Sequence, residues 1–463
     1  MKNIVFILLS VCAFTTLHAQ KINSKKDSLQ IAKIYAECLE NGRAYEDLRY
    51  LCKNISARLS GSLGAEMAVQ WGYNTLKKYN FDTVYLQEVI VPHWQRGNKE
   101  TAYFVTENGD IHKLNILALG GSVGTNGIIS GEIVMFKTLA DLEKAEKGSL
   151  DGKIVFVAQR MNQQEISAFH AYGSCGSVRW KSANIATEKG AKAVLIRSLS
   201  LSENDFPNTG SMRYNGDVVK IPAAALSTND ASKLEDFLDK NHGKTTIFLE
   251  MDCRTLPDTK SYNVIAEVKG SKYPHEIITV GGHLDTWDVS EGAHDDGAGI
   301  VQSMEAIRLL NILKYKPLHT LRVVFFMNEE NGNRGGITYA NVAKEKDEKH
   351  IFALESDEGG FTPRGFSYDG TDGKFKFIEQ IFPLLQPYFI HFLERGYSGV
   401  DITPLKSKYE NIGLLELIPD SQRYFDIHHN ANDVFENINK RELHLGAATI
   451  SAMIYLIDTY WKE

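Results

Sequence analysis

Cysteine is scarce in this sequence, with five among 463 residues. Four of them, Cys38, Cys52, Cys175 and Cys253, lie beyond the apolar start of the chain. They allow three complete disulfide pairings, and the sequence does not choose between those and free buried thiols. The apolar run at the start is shorter than the roughly 20 residues a membrane-spanning helix needs, so no membrane span is expected. No basic cluster stands out and the formal charge is −7, which argues against nucleic acid and anionic membranes as partners. Repeats and low-complexity tracts are missing too. With 43% hydrophobic residues, the chain can build a sizeable core, and its length suits about three domains.

What is present is a series of metal-capable residues, each closing its own strand-like segment. Ile277-Ile278-Thr279-Val280 reads as a buried parallel strand. His283 follows it in Gly281-Gly282-His283-Leu284-Asp285. Open α/β sheets place their chemistry at such strand ends. Asp285 is placed to accept a hydrogen bond from the second imidazole nitrogen, as metal-bound histidines require. Asp295 comes next, in a glycine-rich turn before a helical stripe of Ile300, Val301, Met304 and Ile307. The run 321–327 ends in Glu329-Glu330, where one carboxylate can bind metal and the other move protons. The run 351–354 leads to Asp357, and His428-His429 stand near the C-terminus. Nitrogen and oxygen donors of this kind suit zinc. Singly, each is an ordinary surface or structural residue; together they point to metal-assisted hydrolysis. A pair of ions lowers the pKa of a bound water from about 15.7 toward about 7 and polarises a scissile carbonyl.

These residues resemble the co-catalytic zinc exopeptidases, and the resemblance runs through most of the chain. It takes in residues 92–97, 220–224, 270–274, 282–289 and 355–357 besides the Glu-Glu and His-His clusters. The resemblance implies two Zn2+ ions, with His283 and Asp357 on one, Glu330 and His429 on the other, and Asp295 bridging both. It makes Glu329 the general base and leaves His428 free to hydrogen-bond substrate. His429 is favoured over its neighbour because in the family the ligand histidine precedes an aspartate, here Asp433, by four residues. A cis peptide at Asp295–Asp296, short peptide substrates with free termini and a homodimer are also implied. The chain departs from the nearest pattern at Asn328, Asn331 and residues 399–401. Two rivals are a mono-zinc glutaminyl cyclase and a non-catalytic receptor-like module. The first is disfavoured by His283 with Asp285 behind it, the second by survival of every expected ligand and of the base.

Met1-Lys2-Asn3, the apolar stretch from Ile4 to Phe14 and Leu17-His18-Ala19 form a secretory signal peptide at residues 1–19. Cleavage near Ala19 leaves a secreted or periplasmic protein. Residues 20–119 form the first part of the catalytic domain, helical over 65–78 and β-like over 81–91. Residues 120–257 form an insertion with strands at 131–136, 153–157, 193–196 and 246–249, and with loops at 172–176 and 214–216. By resemblance it is a protease-associated, or apical, α/β domain. Residues 258–463 complete the catalytic domain and end in a helix with Leu443, Ala447, Ile450, Met453, Ile454 and Ile457 on one face. The fold class is α/β, a mixed and largely parallel sheet flanked by helices.

Overall fold

The computed structural model describes residues 24–216, 218–241 and 244–462. The signal peptide expected at 1–19 lies outside them. An eight-stranded mixed sheet has at its centre the strands His319–Phe326, Tyr273–His283, Lys349–Glu355 and Gly413–Pro419, parallel to one another. The first three correspond to the apolar runs recognised in the sequence, and His319–Phe326 is buried along its whole length, as a strand covered on both faces must be. Arg254–Val268 and Thr83–Gln95 extend the sheet antiparallel on one side. Pro363–Gly370 and Phe392–Arg395 complete the other.

Alternation along these strands sorts residues between two cores. Val264, Ala266, Val323 and Phe325 pack with the helices Ser24–Asn41, Ala44–Asn54, Leu63–Lys78, Ala298–Ile312 and Lys440–Tyr460. Ile265, Val324 and Phe326 turn the other way, onto Tyr339 and Ala340 of Arg334–Glu345. Helix starts are signalled locally. Ser62 accepts from the Ala65 amide, and Asn439 from those of Arg441 and Glu442, caps each worth about 1 kcal/mol.

A second eight-stranded sheet draws its strands from Glu100–Val105 through Thr246–Met251. Ile129–Phe136, Ile154–Val157, Ala193–Arg197 and Ala223–Leu226 run parallel in sequence order. The hairpin Glu100–Val105 and Ile111–Leu114 joins this sheet through Thr246–Met251, although it lies before residue 120. The segment 172–176, expected as a loop, is instead helical through Cys175 in Ala168–Cys175. Ser167 caps that helix, and Tyr172 stacks on Phe425 at 4.5 Å, which together offset the weak helix formers Gly173 and Ser174. Residues 214–216 remain outside regular elements.

Arg96, within the segment 92–97, fastens the two sheets. Its guanidinium meets Asp288 at 2.6 Å, Glu100 at 3.1 Å and the Ala118 carbonyl at 2.7 Å. Trp94 meets Trp287 edge-on at 6.3 Å beside it. Cys38, Cys52, Cys175 and Cys253 are buried free thiols. Among the described residues, no helix is long and apolar enough to cross a membrane.

Candidate metal centre

The parallel strands end in register, with His283 beside Phe326, and Glu355 beside Gly281 and Glu416. The loops that follow therefore converge above one edge of the sheet. His283 Nε2 lies 3.1 Å from Asp357 Oδ1 and 3.2 Å from Asp295 Oδ1. His429 Nε2 lies 3.2 Å from Asp295 Oδ2 and 3.0 Å from Glu330 Oε2. The two oxygens of Asp295 thus face two separate ligand sets. His283, Asp295, Glu330 and His429 are all buried, and Glu329 keeps partial exposure.

The donor set fits cations of zinc size. His283 Nδ1 lies 3.0 Å from the backbone carbonyl of Asp285, an acceptor only, so Nδ1 carries the proton and Nε2 presents a lone pair. That lone pair faces two carboxylate oxygens, an arrangement that repels itself unless a proton or a metal ion sits between. Asp295 Oδ2 and His429 Nδ1 have no hydrogen-bond partner among the described residues. Ligand atoms about 2.0–2.2 Å from one tetrahedral zinc are separated by roughly 3.3–3.6 Å, slightly more than the contacts of 3.0–3.2 Å seen. Burial opposes a charged His283, yet Asp357 and Asp295 outweigh it and hold its pKa well above the ordinary value. Burial, reinforced by Asp295, lifts the Glu330 carboxyl to about 7. Both shifts express the same demand for positive charge.

Two neighbours compete for ligand roles, since His283, Asp296 and Asp357 cluster, as do Asp295, His428 and His429. Asp296 is already engaged. Its Oδ2 accepts the His283 amide at 3.0 Å and its Oδ1 the Gly299 amide at 2.9 Å. His428 stands 3.7 Å from Asp295 Oδ2 and stacks on His429 at 3.5 Å between centroids, farther from the bridge than His429. Burial, then the charge of His429, pushes its pKa well below the ordinary imidazole value, leaving a neutral ring at the wall. The Asp295–Asp296 peptide is cis, as the resemblance implies.

Asp285 differs from expectation. Its backbone carbonyl, not its carboxylate, meets His283 Nδ1; the carboxylate oxygen is 3.9 Å away. Asp285 Oδ1 instead accepts the amides of Asn328 at 2.7 Å and Glu329 at 3.1 Å. The carboxylate therefore fixes the turn that carries Glu329. Asn328, at φ 75°, and Asn331 close that turn through Ser60, with contacts of 2.9 and 2.8 Å. Burial lifts the Glu329 carboxyl well above its ordinary value; His283 opposes this, while Asp357, Glu330 and Asp295 add to it.

Residues 263–454 match the profile of peptidase family M28. Carboxypeptidase Q of Mus musculus is 33% identical over 418 residues, 90% of this chain and 85% of that protein. Carboxypeptidase Q of Homo sapiens is 35% identical over 419 residues, with the same coverage. The crystal structure of a peptidase M28 precursor from Shewanella amazonensis superposes with a TM-score of 0.89 at 33% identity, covering 95% of this chain and 98% of that one. The chain belongs to peptidase family M28.

Several residues that build this M28 site carry no local sequence signal. Asp433 accepts the amides of His294 at 2.8 Å and Asp295 at 3.1 Å, which sets the bridging carboxylate; only its spacing from His429 had marked it. Glu416 accepts the Asp357 amide at 3.0 Å. Buried Arg58 donates to the carbonyls of Leu284, Ser56, Glu291 and Gly292 and so ties down the loop after His283. His429 has φ 59°, uncommon for a residue with a side chain. The second sheet's loop holds this stretch: Asn208 Nδ2 donates to the His428 carbonyl at 2.6 Å, and the Thr209 amide to that of His429 at 2.9 Å. Asn208→Ala is expected to weaken zinc binding about 10- to 100-fold, the usual effect of losing a ligand's supporting contact. Competition against a chromogenic chelator measures this, and unchanged affinity would remove Asn208 from the support of the site.

Proposed function

We propose that this M28 metallopeptidase is an exported di-zinc exopeptidase acting on short peptides with free termini. The carrying observation is the two-sided use of Asp295, which supports two ions rather than the single zinc of a cyclase. In this reading His283 and Asp357 would hold one ion, Glu330 and His429 the other, and Asp295 would offer an oxygen to each. When bound, the ions would acidify an attacking water and polarise the scissile carbonyl. Glu329 takes the proton of that water on its carboxylate and passes it to the leaving amine. Asp285, through the amides of residues 328 and 329, keeps that carboxylate in place, and His428 contributes a neutral imidazole to the substrate wall.

The relatives named carboxypeptidase Q support the substrate class, since their similarity extends over 90% of the chain. The second sheet with its helices is read as the protease-associated domain, in agreement with its grip on His428 and His429. Export rests on the expected signal peptide at residues 1–19, and the homodimer stays with this proposal on the resemblance alone. Zinc-loaded protein incubated with peptides of varied length and blocked ends, followed by mass spectrometry, tests the reading. Trimming of short free peptides is the expected result. No cleavage anywhere in the panel would restore the receptor-like alternative.

A further inference from the structure

Arg96 does more than join the sheets, because its contacts run on to two of the metal-capable residues. The guanidinium is buried and grips the Asp288 carboxylate at both oxygens, with Nε 3.0 Å from Oδ1 and 3.1 Å from Oδ2, and Nη2 2.6 Å from Oδ1. A planar fork on a carboxylate fixes direction as well as distance. Asp288 follows Trp287, whose amide donates to Glu330 Oε1 at 3.2 Å. The indole of Trp287 is packed against Gly120, where a Cβ would fall 1.8 Å from Cη2. Arg96 is thus linked to the Glu330 carboxylate through one residue of backbone.

A second path leaves the same guanidinium toward the other sheet. Nη1 donates to the Ala118 carbonyl at 2.7 Å, and Nη2 reaches Thr209 Oγ1 at 3.5 Å. Thr209 Oγ1 donates to that same carbonyl at 2.7 Å, and the Thr209 amide donates to the His429 carbonyl at 2.9 Å. Both paths end on residues that face each other, His429 Nε2 and Glu330 Oε2 at 3.0 Å. His283 and Asp357 are supported differently. The His283 amide donates to Asp296, its Nδ1 to the Asp285 carbonyl, and the Asp357 amide to Glu416, all residues of the first sheet and its loops. One half of the ligand set therefore hangs from the seam between the sheets, and the other half from the first sheet itself.

We infer that Arg96 is a positioning residue for the ion held by Glu330 and His429, so that a contact between the two sheets sets the affinity of one ion and not of the other. This rests on the di-zinc reading above. The test uses full-length protein in competition with chromogenic chelators of graded strength, which resolves the two zinc-binding steps. Wild-type protein is expected to take up two ions per chain. Arg96→Lys keeps the charge and loses the fork. It should weaken one step about 10- to 100-fold, the range for loss of a ligand's supporting contact, while the other stays within about twofold. Asp288→Asn should act on the same step, and it carries the test alone if the lysine variant does not fold. His429→Ala, which removes a ligand of the affected ion, assigns the step. In that background neither substitution should move the affinity of the remaining ion by more than about twofold, since the coupling to the lost ligand is gone. Folded variants that leave both steps unchanged, weaken them equally, or further weaken the ion remaining in His429→Ala would overturn the assignment of Arg96, with the two ions still in place. A single ion per wild-type chain would sink the di-zinc reading and the assignment with it.

Discussion

Glu329→Gln is expected to keep both zinc ions and to lose turnover by about 10²- to 10⁴-fold, the usual contribution of a positioned general base. The residue contributes no ligand in the proposed scheme. Its amide would still bind Asp285 Oδ1, so the turn at 328–329 should hold its shape. Glutamine matches the carboxylate in size but does not accept the water's proton. Metal content by plasma emission spectrometry and single-turnover kinetics on a dipeptide separate the two effects. A variant that turns over normally, or that loses zinc in proportion to activity, would refute the base assignment.

Removing zinc is expected to destabilise the fold by about 4 kcal/mol when the free ion had been at roughly 1,000 times its dissociation constant. The physical reason lies in the buried cluster. Without cations, Asp295, Glu330 and Asp357 crowd one another in a desolvated space, and His283 and His429 take up protons in place of the ions. Burial lifts the carboxyls of Glu330 and Asp357, and neighbouring Asp295 lifts them further. Thermal melts with and without a strong chelator, followed by re-addition of zinc, measure the effect. Zinc should restore stability where magnesium does not, because the imidazole donors do not suit a hard oxygen-seeking ion. An unchanged melting temperature on complete zinc removal would mean that the cluster carries no ion-dependent strain.

Much of the candidate centre was legible in the sequence because several of its residues close a local pattern. An apolar run followed by His283, Glu330 or Asp357 marks a strand end, and strand ends in a parallel sheet meet. What escaped was set by long-range pairing or by the direction of one side chain. Which group of Asp285 meets His283 depends on backbone course over two residues, and apolar periodicity says nothing of it. The helix at 168–175 rests on stacking against Phe425, some 250 residues away in the chain. The hairpin at 100–114 joins the second sheet by pairing with residues 246–251, which no local pattern records. Asn208 and Thr209 sit in a stretch whose composition reads only as loop.

The grip of Asn208 and Thr209 on the two histidine carbonyls ties one half of the molecule to the other. One sheet supplies the hands and the other the wrist. A displacement of the second sheet would therefore pull directly on the backbone that carries His428 and His429.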